Sequence, residues 1–389
     1  MSLGMKRNPR FETALIHAGE PQPRIHGAVA IPIFQSATFE NRDGDPAGVR
    51  YIRYGNTPNH NALNAKLAVL EGGEAAVVTA SGMAAISSTL LAVLAPGDHF
   101  IAHRNLYGGT HGFVSQDLAR LGIECTFVDG DAPSTWEKAR RTTTRAFFVE
   151  TITNPLLEVI DLEAVVRFCR THAITSVIDN TLATPVNYRP IERGFDIVLH
   201  SATKYLNGHS DIVAGAVVGP SKHIAAIREK VARFGGSIDP HTCFLLHRGI
   251  KTLALRVRHQ NASALAIARF LEEHPAVSRV HYPGLASHPD SARARAWFEG
   301  AGGLISFELH GGVSAAERFF ARARIPAWAP SLGGVETLMT RPSLTSHSGL
   351  SAEERHRLGI SDALVRISIG IESTDDIIED FTASLGGAG

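Results

Sequence analysis

The segment 200–211 places one lysine, Lys204, among hydroxyl side chains directly after the apolar run 197–199. Ser201 and Thr203 flank this lysine on its N-terminal side. Most lysines keep their charged head in water, whereas Lys204 leaves a predicted buried strand and enters a polar turn. An amine held in this way can form a Schiff base with an aldehyde. An ordinary surface lysine after a strand fits the segment too, so the rest of the chain has to decide.

Composition indicates a globular protein that acts on a small polar metabolite. The 389 residues are 44% hydrophobic and 20% charged, which allows two domains with separate cores. Thirty-eight basic and 38 acidic residues give a formal net charge of zero, so neither nucleic acid nor an anionic membrane is indicated as a partner. The basic stretch 256–259 predicts one solvated helix face.

Cysteine and histidine spacing predicts neither disulfides nor a metal site. Cys125, Cys169 and Cys243 lie far apart and form no C-x-x-C motif. His99 and His103 have a spacing that occurs in metal sites, but the residues between them predict a strand and no third ligand is near. No apolar run approaches about 20 residues and no apolar signal core is present, so we expect a cytoplasmic protein.

Short apolar runs alternate with helical stretches from residue 74 onward. This alternation predicts a mostly parallel sheet covered by helices, that is, an α/β fold. The predicted strands are 75–79, 100–102, 125–128, 146–149, 176–178 and 197–199, and predicted helices span 84–95 and 162–172.

The two ends of the chain differ from this pattern. Residues 1–60 are rich in Pro, Gly, Asn and Arg and lack periodicity, which indicates an extended arm that reaches a partner. A second α/β unit follows the first, with a helix at 253–273, strands at 304–307 and 364–369, and a closing helix from Thr374. We therefore expect an arm at 1–60, a large domain at 61–250 and a C-terminal domain at 251–389.

Residues directly after the apolar runs are candidates for ligand binding, because parallel sheets bind ligands at the carboxyl ends of their strands. Ser81, Gly82 and Met83 precede a predicted helix, whose positive N-terminus suits a phosphate, although Ser-Gly is also a common cap. Asp179 follows another strand and could be a turn former. Beside a lysine-bound pyridoxal it would instead keep the ring nitrogen protonated.

Eight motifs occur in order along the chain, at 51–56, 81–85, 106–110, 150–155, 179–181, 201–211, 331–334 and 364–368. In this set the chain resembles the pyridoxal phosphate enzymes of cysteine and methionine metabolism, over nearly its whole length. That family includes the cystathionine lyases, cystathionine gamma-synthase, methionine gamma-lyase and the homoserine sulfhydrylases. The resemblance implies the fold type I of pyridoxal phosphate transferases: a seven-stranded, mostly parallel sheet, a smaller C-terminal α/β domain and an extended N-terminal arm.

The resemblance also implies a role for each cofactor-binding residue. Lys204 is expected to carry the Schiff base and to move the α-proton, Asp179 to pair with the pyridine nitrogen, and Tyr107 to stack on the ring and assist proton movement. Asn154 is expected near the 3-hydroxyl group. The implied cofactor-binding set also contains Ser81, Gly82, Met83, Ser201 and Thr203, of which the last four form the phosphate cup.

Substrate and subunit contacts follow from the same resemblance. Arg366 is expected to clamp the substrate α-carboxylate, since its planar fork binds both oxygens. Ser331 and Asn154 are expected beside that carboxylate. Tyr51 and Arg53 are expected to reach the phosphate of a neighbouring subunit, with Tyr51 also touching its substrate, so that a dimer is the smallest active form and a homotetramer the usual one.

The resemblance implies a carbon–sulfur lyase of transsulfuration that acts on cystathionine or related sulfur amino acids by β- or γ-elimination. Two alternatives stay open. The first is γ-replacement, as in cystathionine gamma-synthase or an O-acyl-homoserine sulfhydrylase. The second is a pyridoxal phosphate-binding protein without catalysis, against which the presence of Lys204, Tyr107 and Arg366 weighs.

Three positions depart from the familiar patterns of this family. Gly112 stands where many cystathionine-using members have an arginine, and Pro330 stands where cystathionine enzymes often have a glutamate. Gly109 occupies the position of a cysteine in methionine gamma-lyases. These differences predict a less polar distal pocket, with His111 as an alternative contact for a distal carboxylate.

Overall fold

The large sheet of this computed structural model is built from the strands that the apolar runs predict. The structure describes residues 9–42, 44–130 and 133–386. Within them the sheet has seven strands in the order β1-β7-β6-β5-β4-β2-β3. Their bounds are β1 Ala75–Thr79, β2 His99–His103, β3 Glu124–Val128, β4 Thr144–Glu150, β5 Thr175–Asp179, β6 Ile197–His200 and β7 Gly215–Gly219. The predicted α/β fold and its mostly parallel seven-stranded sheet are confirmed.

Strand direction brings six carboxyl ends to one edge of the sheet. Strands β2 to β6 pair in parallel, and β7 is antiparallel to both β6 and β1, so β1 has the common direction. Strand β7 is absent from the sequence prediction because it holds three apolar residues between two glycines. The common edge is where side chains from different strand ends can meet.

Both faces of the large sheet are buried, as alternation along a strand requires. In β4, Phe147 and Val149 pack in one core, whereas Ala146 and Phe148 pack in the other. The helices of this half are α2 Pro58–Glu71, α3 Gly82–Val93, α4 Gly108–Gly112, α5 Pro133–Ala139, α6 Leu162–His172, α7 Thr184–Asn187, α8 Pro190–Arg193, α9 Ser221–Phe234 and α10 Pro240–Ile250. Helix α6 has its predicted bounds because Asp161 caps its first turn, where it accepts the Ala164 N–H.

The C-terminal half forms a second sheet with its own core. The order of its five strands is β10-β11-β12-β9-β8. Their bounds are β8 Val277–His281, β9 Leu304–Leu309, β10 Ala327–Trp328, β11 Leu338–Thr340 and β12 Val365–Ser368. The helices here are α11 Leu253–Glu273, α12 Ser291–Trp297, α13 Gly312–Arg322, α14 Ala352–Arg357 and α15 Thr374–Leu385. The predicted smaller α/β unit is thus present.

The N-terminal segment is only partly an extended arm. Its first eight residues lie outside the described ranges. Helix α1, Phe11–His17, packs on α2 and buries Ala14 and Leu15. The buried Lys66 amine of α2 donates to the carbonyl oxygens of Leu15 and Ile16 at 2.7 and 3.1 Å and so holds the end of this short helix. From 18 to 57 the described chain has short turns and is largely exposed.

The prediction that 256–259 form a solvated face is wrong for Arg256. Its side chain is 4% exposed and points from α11 into the loop that follows Lys204. The guanidinium donates to the carbonyl oxygens of Tyr205 at 2.8 Å, Leu206 at 3.4 Å and Gly249 at 2.9 Å. Arg256 is therefore a buried brace of the lysine loop, because those carbonyls need donors that the irregular loop lacks.

Among the helices of the described ranges, none is long and apolar enough to cross a bilayer.

Replacing Arg256 with methionine should destabilise the fold by about 2–4 kcal/mol, since three buried carbonyl groups lose a charged donor. Chemical denaturation measures this change. Arg258→Met on the same helix is the matched control, because Arg258 makes an exposed ion pair with Glu12 and such pairs contribute about 0–1 kcal/mol. Equal effects of the two substitutions would contradict the bracing role.

Candidate active site

A cavity of about 590 Å³ opens at the carboxyl edge of the large sheet, where the second sheet closes over it. Its size suits a small cofactor with a substrate. Eleven of the predicted site residues line it: Ser81, Gly82, Met83, Tyr107, Asn154, Asp179, Ser201, Thr203, Lys204, Ser331 and Arg366. Residues of both halves of the chain therefore meet in one place, although their individual roles stay predictions.

Lys204 enters the cavity from the loop after β6. Its Nζ donates to the Ser331 hydroxyl at 2.8 Å. Burial, together with the nearby Arg366 charge, lowers the pKa of Lys204 to about 8. About a tenth of this amine is therefore neutral at pH 7, far more than for an ordinary lysine, and a nucleophilic or proton-accepting lysine requires this neutral form.

The backbone of the 331–334 segment lies directly on the lysine loop. Gly333 has φ +75°, and a Cβ there would stand 2.7 Å from the Tyr205 nitrogen. Only glycine allows this approach. Ser331 has φ +101°, which is strained for a residue with a side chain and costs about 1–3 kcal/mol. The strain is offset by two contacts: its hydroxyl accepts from Lys204, and its carbonyl accepts from Arg366 at 2.9 Å.

Arg366 projects from β12 and is buried. Besides Ser331, it donates to the Asn154 side-chain oxygen at 3.1 Å. Its Nε is buried and has no hydrogen-bond partner. Burial lowers the pKa of Arg366 to about 10, so the group stays charged at neutral pH. A buried guanidinium with unused donors, lining an open cavity, suits a carboxylate.

The N-terminus of α3 forms another wall of the cavity. Ser81 caps the helix by accepting the Ala84 N–H at 3.0 Å. A Cβ on Gly82 would lie 2.8 Å from the Ser201 Cβ, so glycine lets the two segments touch. The helix terminus and the Ser201 hydroxyl thus lie together, an arrangement that suits phosphate. The Thr203 hydroxyl is instead directed to the carbonyl of Ala214 at 3.1 Å, which leaves Ser201 as the hydroxyl donor of this wall.

Asp179 lies at the end of β5, next to β6, and lines the cavity. One of its oxygens accepts from both the N–H and the hydroxyl of Thr181, at 2.9 and 2.5 Å. Burial raises the pKa of Asp179, while these hydrogen bonds and the nearby His200 lower it. His200 itself is buried and bonds Glu71 at 2.5 Å, which places a second polar pair behind the carboxylate.

Tyr107 stands at the rim with 43% of its surface exposed. A Cβ at Gly109 would lie 2.7 Å from its ring, so the missing side chain lets the ring take this position. The Tyr107 N–H donates to Glu150 at 2.6 Å. Glu150 is a cavity-lining residue that the sequence analysis missed, although it follows an apolar strand as Asp179 does.

Other lining residues were also missed. Thr181 donates hydrogen bonds to Asp179. It is the last residue of the Asp-Asn-Thr motif, and this was the available sequence signal. Thr345 and Ser346 come from an irregular segment near α14, where no strand or helix pattern points to a site.

Two predicted residues lie away from the cavity of their own chain. Arg53 donates to the Ala232 carbonyl of α9 at 3.1 Å and lies over the rings of Tyr51 and Tyr54. Tyr51 is 37% exposed. A single chain thus does not bring Tyr51 or Arg53 to its own Lys204.

The two histidines considered from the sequence, His99 and His111, make packing and hydrogen-bond contacts. His99 bonds the hydroxyls of Thr126 and Thr144, both at 2.9 Å. His111 stacks on Phe127 at 4.9 Å and is not among the residues lining the cavity. In the ranges that the structure covers, no group of three His, Cys, Asp or Glu residues is arranged to hold a metal ion.

Comparison with known proteins agrees with this geometry. A family model described as Cys/Met metabolism PLP-dependent enzyme matches residues 12–386. The chain is 41% identical to L-methionine gamma-lyase of Pseudomonas putida over 98% of each chain. It is also 41% identical to cystathionine gamma-lyase of Bacillus subtilis, over 96% of this chain and 98% of that protein. The crystal structure of cystathionine gamma-lyase from Lactobacillus plantarum complexed with L-serine has a TM-score of 0.92 at 37% identity, covering 97% of this chain and 99% of that one.

The donor set fits pyridoxal phosphate. A partly neutral amine is available for the aldehyde, a helix N-terminus with the Ser201 hydroxyl for the phosphate, and Asp179 for the ring nitrogen. These groups line one cavity, and Gly82 leaves its phosphate wall free of a side chain.

The rate at which cofactor-free protein captures pyridoxal phosphate should increase as pH rises through about 8 and level off above it. The reason is that Lys204 reacts as the neutral amine, whose fraction grows as pH passes its lowered pKa. Arg366→Leu removes a nearby positive charge and should move the midpoint to higher pH. Stopped-flow absorbance measures the rate, with Arg167→Leu on exposed α6 as control. A midpoint at the ordinary lysine value of 10.5, or one insensitive to Arg366, would contradict this assignment.

Proposed function

The chain belongs to the Cys/Met metabolism family of pyridoxal phosphate-dependent enzymes, and from this premise we propose that it is a carbon–sulfur lyase acting on sulfur amino acids. The observation that carries the proposal is the Lys204–Ser331–Arg366 contact, which sets a proton-accepting amine beside a carboxylate clamp. The relatives at 41% identity, named as methionine and cystathionine gamma-lyases, support it.

The cofactor supplies an aldehyde that condenses with amines and an electron-withdrawing ring that spreads negative charge from the substrate α-carbon. Arg366 binds the α-carboxylate through its fork and through the Nε that has no protein partner. With the carboxylate fixed there, the α-carbon lies near the Lys204 amine, which shares Ser331 with Arg366. Lys204 then accepts the α-proton as the neutral amine.

The apolar part of the cavity lining favours an apolar leaving group. Besides Arg366 and Lys204, no cation of the described chain lines the cavity, so a second carboxylate would have no cationic partner from this chain. A thioether with an uncharged end therefore fits this lining better than cystathionine, which has two charged ends. The apolar lining residues are Ile86, Ile152, Leu182, Val213, Pro330 and Leu332.

A substrate panel tests the function. Purified protein loaded with pyridoxal phosphate should release a 2-oxo acid and a thiol, with methionine-like thioethers turned over more efficiently than cystathionine. Pyruvate would identify β-elimination and 2-oxobutyrate γ-elimination, whereas incorporation of an added thiol would identify replacement.

In the same assay Lys204→Ala should lower turnover by about 10³-fold, because the substitution removes the amine that serves both as nucleophile and as proton acceptor. Lys222→Ala on the exposed start of α9 is the matched control and should keep full activity. The proposal would be refuted if protein loaded with pyridoxal phosphate released neither 2-oxo acid nor thiol nor replacement product from any substrate. That result would favour a cofactor-binding protein without catalysis.

We further propose that the active site is completed between two chains. In support, Tyr51 and Arg53 lie on an exposed segment away from the Lys204 of their own chain, where their side chains stay accessible. In a symmetric dimer each chain would lend these residues to the other. A tetramer would then arise as a pair of such dimers.

Mixing two inactive variants tests this sharing. In a hybrid dimer of Lys204→Ala and Arg53→Ala chains, one of the two sites combines an intact Lys204 with an intact Arg53 from its neighbour. Random pairing should restore about a quarter of the original activity. Arg53→Ala mixed with the double variant Lys204→Ala/Arg53→Ala is the control and should stay inactive. No recovery in the first mixture would show that Arg53 serves its own chain.

We also propose a cytoplasmic location. The three cysteines are free, and two of them are buried, which suits a reducing compartment.

A further inference from the structure

Two carboxyl groups stand side by side at the back of the cavity. Glu150 ends β4 and Asp179 ends β5, and the two residues are paired in register in the parallel ladder. Registered neighbours in a parallel pair extend from the same face of the sheet, with their strands about 5 Å apart. Both residues line the cavity, and Glu150 is only 5% exposed. Two negative charges so close together in a buried place repel strongly.

The two carboxyl groups have unequal partners. Burial raises the pKa of Asp179, but two hydrogen bonds from Thr181 and the nearby His200 oppose this rise, so its ionised form has more support than that of Glu150. Among the residues that the structure describes, the Glu150 carboxyl accepts one hydrogen bond, from the Tyr107 N–H at 2.6 Å, and makes no ion pair. Burial raises the pKa of Glu150 well above its usual value, and the charge of Asp179 raises it further. Of the two groups, Glu150 is therefore the one that holds a proton.

We propose that Glu150 is a positioning residue that works as a neutral acid: it carries the proton of the Glu150–Asp179 pair and fixes the backbone of Tyr107. One oxygen accepts the Tyr107 N–H and so sets where the aromatic ring stands at the cofactor site. The protonated oxygen leaves the pair with a single negative charge, which stays on Asp179 for the ring nitrogen. One part of this inference rests on the proposed function, namely that the ring beside Tyr107 is that of the cofactor.

Glu150→Gln is the decisive substitution, because an amide copies the shape and charge of a protonated carboxyl group. Its carbonyl oxygen still accepts the Tyr107 N–H. The affinity for pyridoxal phosphate and kcat should both stay within about threefold of the original protein. Glu150→Leu removes the acceptor and should weaken cofactor binding by about tenfold or more, since the Tyr107 N–H loses its partner. A tenfold or greater loss of cofactor affinity in Glu150→Gln would overturn the proposal, since a required negative charge would then be the explanation.

The pH dependence of stability separates this role from a merely structural one. Because the folded pKa of Glu150 is above the unfolded value of 4.5, the folded protein binds this proton more tightly than the unfolded chain does. The contribution of Glu150 to stability is therefore present at low pH and is lost as pH rises from 4.5 through the folded pKa. The Tm of the loaded Glu150→Gln protein, relative to the original, should thus increase as pH rises above 4.5 and level off once pH has passed the folded pKa of Glu150.

Glu163→Gln, the same change on the exposed surface of α6, should leave the Tm difference independent of pH. A pH-independent difference for Glu150→Gln would equally overturn the proposal. The melting measurement needs no turnover, so its outcome is separate from that of the substrate panel. If the original protein had no lyase activity but showed the expected melting behaviour, the proposed function would be refuted and the neutral-acid role of Glu150 would stand.

Discussion

Burial of the Lys204 amine beside the Arg366 guanidinium is the interaction on which the rest of the site depends. Two cations in one cavity repel each other, and that repulsion adds to desolvation in making the lysine a weaker base. The fold maintains this unfavourable arrangement with contacts at several levels. Arg256 donates to the backbone of the lysine loop. Ser331 lies between Lys204 and Arg366 and accepts a hydrogen bond from each. A cavity that is prepared for an anion has to tolerate such repulsion while it is empty.

The cavity lining also contains two neighbouring carboxyl groups, which repel each other when both are ionised. Strand register fixes the spacing of Glu150 and Asp179, and their different hydrogen-bond partners decide which of them is charged. The cavity thus has a cationic pair with Ser331 between its members and an acidic pair in which Thr181 and His200 stand beside Asp179. This division would let one small volume orient both a carboxylate and a ring nitrogen.

Much of this arrangement could be predicted from the sequence, since its main signals are local. Lys204 and Asp179 follow apolar runs directly, and helix α6 has a cap and a periodicity that set both of its ends. The missed features depend on tertiary contacts. Arg256 lies in a basic stretch, and no local pattern predicts that its guanidinium donates to carbonyl groups of a loop about 50 residues away. The packing of the N-terminal helix depends on Lys66, which lies about 50 residues further along the chain.

Ser331 has a consequence for motion as well as for chemistry. It belongs to the segment that leads from β10 toward β11, whereas Lys204 belongs to the loop after β6, so this serine ties the two sheets together across the cavity. A displacement of one sheet relative to the other would break this hydrogen bond and bring the amine into water, which would raise the lysine pKa towards its ordinary value. The relative position of the two sheets therefore helps to set the basicity of the lysine.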